Sequence, residues 1–343
     1  LGTIKKDNLK ILIIRFGAIG DLIMISPAIR CLKLQLKSTI HIVCKLAYSP
    51  TVVHNPHIDK VYTLDSNWNH VMEQLKSERY DLIIDLHKTM RSYRMRMGLK
   101  APVISIHKST IQHRLHMMVR SVDVDPRHFV HEIFAGLEDL RLVDDGLGME
   151  VFLDEASDQK IKLRLAEINV ARDYSVIALG GSHETKRVPA ELAADYINSS
   201  QDHIILLGGK DAIDAGRDVM DRINRYVHNG IGLYTLLESF AIIKNCQRII
   251  TGDTGMMHYA ASADKDIVVV YGCTSPVFGM FPYFSDHSTA TSDYLQAKEL
   301  SCWPCSKAGR PTCPKKHMKC LRQWRAEDII SKINKEPVRN SNA

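Results

Sequence analysis

Residues Ile11–Arg30 read ILIIRFGAIGDLIMISPAIR. Lys10–Ile14 runs apolar after its first residue, without the alternation of a strand wet on one side. That pattern fits a strand buried on both faces inside a parallel sheet. Phe16–Asp21 (FGAIGD) follows, and its glycines, Gly17 and Gly20, let the backbone turn tightly and approach a neighbour closely. The spacing is not the dinucleotide fingerprint, which needs G-x-G-x-x-G and an acid about 20 positions on. Asp21 stands where the next helix opens. One reading makes it a helix-end carboxylate favoured by the dipole; the other makes it a general base. Pro27 kinks that helical stretch or begins a new one.

The pattern recurs outward from this stretch. Strands are expected at His41–Val43, Lys60–Leu64 and Asp81–Leu86, with helices at Pro27–Leu36 and Trp68–Ser77. The alternation pauses near residues 154–172, where Lys160–Ile168 reads as an amphipathic helix. It resumes with strands at Ser175–Leu179, His203–Leu207, Arg248–Thr251 and Ile267–Tyr271, and helices at Pro189–Ser199, Ala212–Arg225 and Leu233–Asn245. Strands alternating with helices build an α/β fold, a parallel sheet covered on both faces. The 343 residues suffice for two such domains, at roughly 150 residues each. The expected division is a first domain over 1–155, a linker over 156–172, a second domain over 173–325, and a terminal helix with a disordered tail over 326–343. Ligands of open parallel sheets bind beyond the C-terminal strand ends. Two domains facing across a cleft would therefore offer it the loops 15–21, 180–187 and 252–258.

Hydrophobic residues make up 45% and charged residues 24%, the composition of an ordinary soluble globular protein. There is no run of about 18 apolar residues, so no membrane span is expected. LGTIKKDNLK lacks the apolar core of a signal peptide, which points to the cytoplasm, with the eight cysteines as thiols. The net charge is +6. Between Leu86 and His131 stand nine Lys or Arg against two acids, a patch suited to a phosphate-rich or otherwise anionic partner. Nucleic acid fits less well: none of its common recognition motifs is present and few aromatics interleave with the charges.

Three further segments carry chemistry. Gly180–Arg187 (GGSHETKR) follows a strand, and Ser182, His183, Thr185, Lys186 and Arg187 suit phosphate oxygens. In Leu207–Asp214 (LGGKDAID), Asp211 or Asp214 either holds a ribose diol or caps a helix. Gly252–His258 (GDTGMMH) opens a helix over Met256–Ala263, so Thr254, Gly255 and Met256 put free N–H groups at a positive helix end. Asp253 there suits sugar hydroxyls, and His258 faces either the ligand or the core. Cys302, Cys305, Cys313 and Cys320 are spaced C-x2-C-x7-C-x6-C. They read as either a structural zinc site with His317 as a spare ligand, or a set of packed thiols. The cleft loops carry no His/Asp cluster for a catalytic metal.

Taken together, Arg15–Pro27 (RFGAIGDLIMISP), Thr185–Pro189 (TKRVP) and Gly252–Pro276 (GDTGMMHYAASADKDIVVVYGCTSP) resemble the three hallmark blocks of the bacterial lipopolysaccharide heptosyltransferases, glycosyltransferase family 9. The four-cysteine tail recurs in many members, and the resemblance runs over almost the whole chain in order and spacing. It implies a GT-B fold, two Rossmann-like domains with the active site between them. It also implies inverting, metal-independent transfer of heptose from ADP-L-glycero-D-manno-heptose to the lipopolysaccharide inner core, releasing ADP and requiring no cofactor. The enzyme would work in the cytoplasm, peripheral to the inner membrane, on an anionic glycolipid such as Kdo-lipid A or heptosylated core.

By this resemblance the first domain binds acceptor and the second binds nucleotide sugar. Asp21 matches the proposed base and Lys186 the lysine on the donor phosphates. Asp253 matches the acid that holds the heptose, and Thr254, Gly255 and Met256 the helix start at the diphosphate. His258 matches the motif histidine, and Asp211 is placed at the ribose. Gly17 and Gly20 bring backbone close to the sugar. Arg91, Arg94, Lys108 and Arg114 receive the acidic acceptor, and the same basic face suits anionic lipid. Val188 stands where the family has an aromatic, and Met256, Met257 and Tyr259 where it has leucines, which bears on the exact sugar and acceptor.

The chemistry expected is proton removal from an acceptor hydroxyl by Asp21 as that oxygen attacks the anomeric carbon. Lys186 and the helix end take up the charge on departing ADP. Two other classes compete: a nucleotide-binding protein without transferase activity, and a GT-B enzyme for another nucleotide sugar or acceptor. A mere binder has no need of Asp21, and an epimerase has no anionic acceptor to hold.

Overall fold

β1 (Lys10–Ile14) is the middle strand of a five-stranded sheet with order β3-β2-β1-β4-β5, built with β2 (Thr39–Lys45), β3 (Lys60–Leu64), β4 (Leu82–Asp85) and β5 (Val103–Ser105). This computed structural model describes residues 8–65, 67–106, 127–168, 170 and 173–334. Ile11–Ile14 pair in parallel with Ile40–Val43 on one side and Leu82–Asp85 on the other. All four are at most 1% exposed, which is why the run shows no alternation. Leu12 and Ile14 share a core with Val43, Tyr62 and Ile83, and with Val71 and Leu75 of α3 (Trp68–Ser77). Each such side chain contributes about 1.5–3 kcal/mol on burial.

After β1 come two helices, α1 (Ile19–Met24) and α2 (Ser26–Gln35). Pro27 lies in the first turn of α2, where its missing N–H costs nothing, so it begins a helix rather than kinking one. Arg30 of α2 is 3% exposed and is held by Asp145 at 2.6 and 2.7 Å, Glu150 at 2.7 Å and Gly148 O at 3.0 Å. At the far end of the sheet, the Glu78 carboxylate accepts from Lys10, from Lys60 at 2.8 Å and from the Tyr62 hydroxyl at 2.5 Å.

The second sheet has order β11-β10-β9-β6-β7-β8. Its strands are β6 (Tyr174–Ala178), β7 (His203–Leu207), β8 (His228–Asn229), β9 (Arg248–Gly252), β10 (Asp266–Val270) and β11 (Ser292–Leu295). All pairings are parallel. The helix Leu236–Asn245 starts three residues later than expected, because Thr235 and Glu238 form a reciprocal capping box there.

Two compact units result. Among the described residues, the first holds those up to 106, Arg127–Phe152 and the returning Ser285–His287, where Asp286 N–H donates to Gly146 O at 2.8 Å. The second starts at Leu153. The expected linker 156–172 is therefore corrected. Its helix, Glu155–Glu167, is capped by Asp154 and belongs to the second unit, tied by Lys160 to Glu238 at 2.5 Å. The terminal helix is Ala326–Ile333; the expected tail from 335 lies outside the described residues. No helix among those described is long and apolar enough to cross a membrane.

Each sheet reverses its strand order once, between β1 and β4 and between β6 and β9. Such a reversal opens a crevice at the carboxyl ends of the two strands.

Candidate active site

In the first unit, the loop at the β1/β4 reversal is organised by Arg15. Its side chain is 4% exposed; one guanidinium nitrogen donates to Leu86 O just past β4, and the other pairs with Asp21. Its Nε has no hydrogen-bond partner, and the group stands 5.9 Å from the Phe129 ring centroid. The Asp21 carboxylate also accepts from Ala18 N–H at 2.8 Å. Asp21 thus closes the first turn of α1 while staying 24% exposed.

Gly17 has φ +144°, and a Cβ there would stand 2.4 Å from the Tyr48 ring. The space a side chain would take at Gly17 is filled by Tyr48, and Gly20 is buried inside α1. Asp85, 1% exposed, ends β4 and accepts from His87 N–H and Lys88 N–H, each at 3.0 Å. That shapes the turn into α4 (Met90–Leu99). His87 packs on Phe16 with ring centroids 4.6 Å apart, and Arg91 lies 5.8 Å from the Phe16 ring and 5.2 Å from that of Trp68. Arg91 and Arg94 are exposed. Lys108 and Arg114 lie outside the described residues.

In the second unit, the β6/β9 reversal brings 180–187 against 252–256. Lys186 Nζ is 2.9 Å from Asp253 Oδ2, and Asp253 is 3% exposed. The turn carrying Lys186 lies directly on two strand ends: a Cβ at Gly252 would stand 1.8 Å from Lys186 O, and one at Gly272 would stand 2.0 Å from Thr185 O. The helix Gly255–Ser262 starts beside it, with Thr254 at its N-cap and Thr251 Oγ1 3.2 Å from Thr254 Oγ1. Thr254, Gly255 and Met256 are partly open, and their first-turn N–H groups lie beyond reach of intrahelical acceptors. His258, one turn on, is buried.

Asp211 fixes this loop: its Oδ2 accepts from Gly181 N–H at 2.8 Å and lies 3.3 Å from Arg187 Nη2. Arg187 in turn donates to Gly181 O at 2.7 Å. Ser182 is exposed. Thr185 is withdrawn from any phosphate. It is 1% exposed, its hydroxyl donates to Arg310 O at 2.6 Å, and it accepts from Arg310 N–H at 2.9 Å.

That bond belongs to the cysteine tail. Thr185, Cys273, Cys302, Cys305, Cys313 and Cys320 border one cavity of about 20 Å³. Cys305 N–H donates to Cys273 O at 3.0 Å, and Cys302 Sγ lies 3.7 Å from His317 Nε2. Among the described residues no three His, Cys, Asp or Glu side chains stand as ligands of one metal. The tail supports the Lys186 turn: Gly309 lies so close that a Cβ there would stand 2.5 Å from Lys186 Cδ.

Sequence reasoning singled out neither Arg15, Tyr48, Asp85 nor Arg310. Only Asp85 carries a local signal, a carboxylate closing an otherwise apolar strand (DLIID).

The sequence profile of Glycosyltransferase family 9 (heptosyltransferase) matches residues 68–308. A lipooligosaccharide heptosyltransferase 2 of Campylobacter jejuni is 25% identical over 330 residues, 92% of this chain and 96% of its own length. Among solved structures, a glycosyl transferase family 9 protein from Veillonella parvula superposes with a TM-score of 0.74 at 21% identity, over 95% of this chain and 96% of that one. An Escherichia coli heptosyltransferase solved with ADP gives 0.63 at 15% identity, over 95% and 99%. The fold is GT-B, two Rossmann-like α/β domains.

Proposed function

This chain belongs to glycosyltransferase family 9, the heptosyltransferases, and as a glycosyltransferase of that family we propose that it moves heptose from ADP-heptose to an anionic lipopolysaccharide inner-core acceptor. The observation that carries this reading is the Lys186–Asp253 pair beside the open first turn of the helix Gly255–Ser262. A cation and a row of N–H donors there suit a diphosphate, and a carboxylate at the same place suits sugar hydroxyls. Asp211 and Ser182 border the same loop, with Asp211 assigned to the ribose side and Ser182 to the phosphates.

In the proposed reaction the Asp21 carboxylate takes the proton of an acceptor hydroxyl. The oxygen forms its bond to the anomeric carbon as the bond to the ADP oxygen breaks, with inversion. ADP departs with the bonding electrons, and Lys186 with the N–H groups of Gly255 and Met256 takes up the charge that develops. These groups supply in place the positive potential that a metal ion supplies elsewhere, so the reading is metal-independent and without cofactor. Arg91 and Arg94 receive the acceptor's acidic sugars or phosphates at the cytoplasmic face of the inner membrane. The Campylobacter relative acts on lipooligosaccharide by its name, and the Escherichia structure holds ADP; both agree with this donor and acceptor class.

The test is ADP release from ADP-heptose with and without Kdo-lipid A or its heptosylated form. Release only with acceptor supports the reading. Binding of ADP-heptose with no release under either condition leaves a nucleotide-binding protein, and release with another nucleotide sugar alone moves the donor assignment.

A further inference from the structure

Arg15 is clasped between two strands before its side chain begins. Its N–H donates to Val43 O at 3.1 Å, and Leu86 N–H donates to Ile14 O at 3.1 Å, so the residue continues β1 between the ends of β2 and β4. The guanidinium is then fixed a second time. Nη1 donates to Leu86 O, and the Phe129 ring centroid lies 5.9 Å from the group. Nη2 is directed at Asp21. The turn at Gly17, with φ +144°, folds residue 21 back over residue 15, which a straight strand would carry apart. The carboxylate is divided between two donors: Oδ1 faces Arg15, and Oδ2 accepts from Ala18 N–H at 2.8 Å. A carboxylate with a donor on each oxygen cannot turn about its last bond without losing one of them.

For a helix end alone this is more than is needed, because the backbone N–H and water satisfy such a carboxylate. Here its partner is a guanidinium that is 4% exposed and leaves its Nε unpartnered, an unfavourable burial. We propose that Arg15 is the positioning residue of the proton acceptor: acting through Asp21 rather than on the substrates, it holds that carboxylate in one orientation and keeps it charged at the end of β1. Each carboxylate oxygen has a second lone pair, so an acceptor hydroxyl can donate to Asp21 without displacing Arg15 or Ala18. When the proton arrives, Arg15 is left as a buried cation beside a neutral acid, which favours passing the proton on to water. The inference rests on the reading of Asp21 as the base and adds the residue that aims it.

Arg15→Gln, Arg15→Lys, Asp21→Asn and Arg15→Gln/Asp21→Asn are compared as full chains by acceptor-dependent ADP release, each below its melting range. Arg15→Gln should lower kcat by about 10²-fold, the loss that follows a misplaced reacting group, with the KM for ADP-heptose and calorimetric ADP binding at the parent values. The acid limb of its kcat/KM profile should lie at higher pH by about 1 pH unit or more, because the carboxylate has lost the cation that favours its charged form. His87, Lys88 and Arg91 after β4, and His128, His131 and Glu132 about the Phe129 ring, also titrate or carry charge on the elements around this loop. They are common to parent and variant, so the readout is the displacement of the limb. Arg15→Lys should restore the limb, which follows charge, and only part of kcat, which follows the two-armed geometry. In the Asp21→Asn background, Arg15→Gln should cost no further kcat. A parental kcat in Arg15→Gln, an unmoved limb, or a full additional loss in the double variant overturns the proposal. If Arg15→Gln does not fold, Arg15→Lys decides: a parental kcat overturns the proposal, and a lowered kcat with an unmoved limb supports it. Near-normal turnover of Asp21→Asn removes the base and this inference together. An inactive Asp21→Asn beside a parental Arg15→Gln removes the inference alone.

Discussion

Lys186 and Asp253 pair directly: Nζ stands 2.9 Å from Oδ2, and the carboxylate is buried to 3% exposure. The pair joins the loop after β6 to the end of β9 and fixes a cation next to a helix start. Lys186→Ala removes that cation and leaves Asp253 buried and unpaired, which should cost about 3 kcal/mol in urea unfolding. Lys186→Ala/Asp253→Asn should recover part of the loss, giving a coupling of roughly 0.5–3 kcal/mol in a double-mutant cycle. Strictly additive changes would show that the two side chains do not act as a pair. The single variant should also raise the KM for donor.

Asp21→Asn keeps an oxygen for Ala18 N–H but loses the charge that accepts a proton. Transfer should fall by about 10²–10⁴, while ADP binding by calorimetry stays near the parent value. The loss of the Arg15 contact should lower stability by about 1–3 kcal/mol, so the measurement belongs below the variant's melting range. Near-normal turnover would remove Asp21 from the role of base.

Gly272→Ala puts a methyl 2.0 Å from Thr185 O, a backbone atom that cannot swing aside. The turn 184–187 must lift off the sheet, and Lys186 moves with it. A loss of about 1–3 kcal/mol and a raised donor KM are expected together. An alanine variant with parental melting and kinetics would mean that the turn is not seated as described.

Stability should decline on acidification. Hydrogen bonds from Lys10, then Lys60 and Tyr62, hold the Glu78 carboxyl well below the usual carboxylate range, and the Arg30 hydrogen bond lowers that of Asp145. A depressed folded-state pKa contributes stability that is present above the unfolded value, about 4.3 for Glu and 3.9 for Asp. It is lost as pH falls below that, because the unfolded chain then binds more protons. Glu78→Gln should therefore flatten the acid limb of melting temperature against pH and cost about 1 kcal/mol at pH 7. An unchanged acid limb would place the sensitivity elsewhere.

The parts of the fold legible in the sequence were those written in runs. After their first residues Lys10–Ile14 and His203–Leu207 are apolar and buried, as strands covered on both faces are, and Lys60–Leu64 has in the structure the bounds its sequence implies. β5, β8 and β11 passed unread, being two to four residues long or, at Ser292–Leu295, half polar. No local signal assigns the Glu155–Glu167 helix to the second unit, because what it packs on, the helix Leu236–Asn245, lies some 70 residues further along. Of the candidate residues, those at 21, 186 and 253 each stand in a motif the sequence shows. What holds them was not: Arg15 reaches Leu86, Thr185 reaches Arg310 and Gly17 lies under Tyr48. Such partners are set by which strands lie side by side, and no local spacing records that.

The contact of Thr185 and Lys186 with Arg310 and Gly309 gives the cysteine-rich segment a mechanical meaning. One wall of the proposed donor site is built from residues more than 100 positions further along the chain, joined through the Thr185 hydroxyl and a glycine that leaves room for a lysine stem. Damage to Cys273, whose Sγ lies 3.1 Å from the Thr185 hydroxyl, by oxidation or alkylation would disturb the turn that carries Lys186, the proposed phosphate partner. The enzyme's sensitivity to thiol reagents would then appear as a change in donor affinity, although no cysteine need touch the donor.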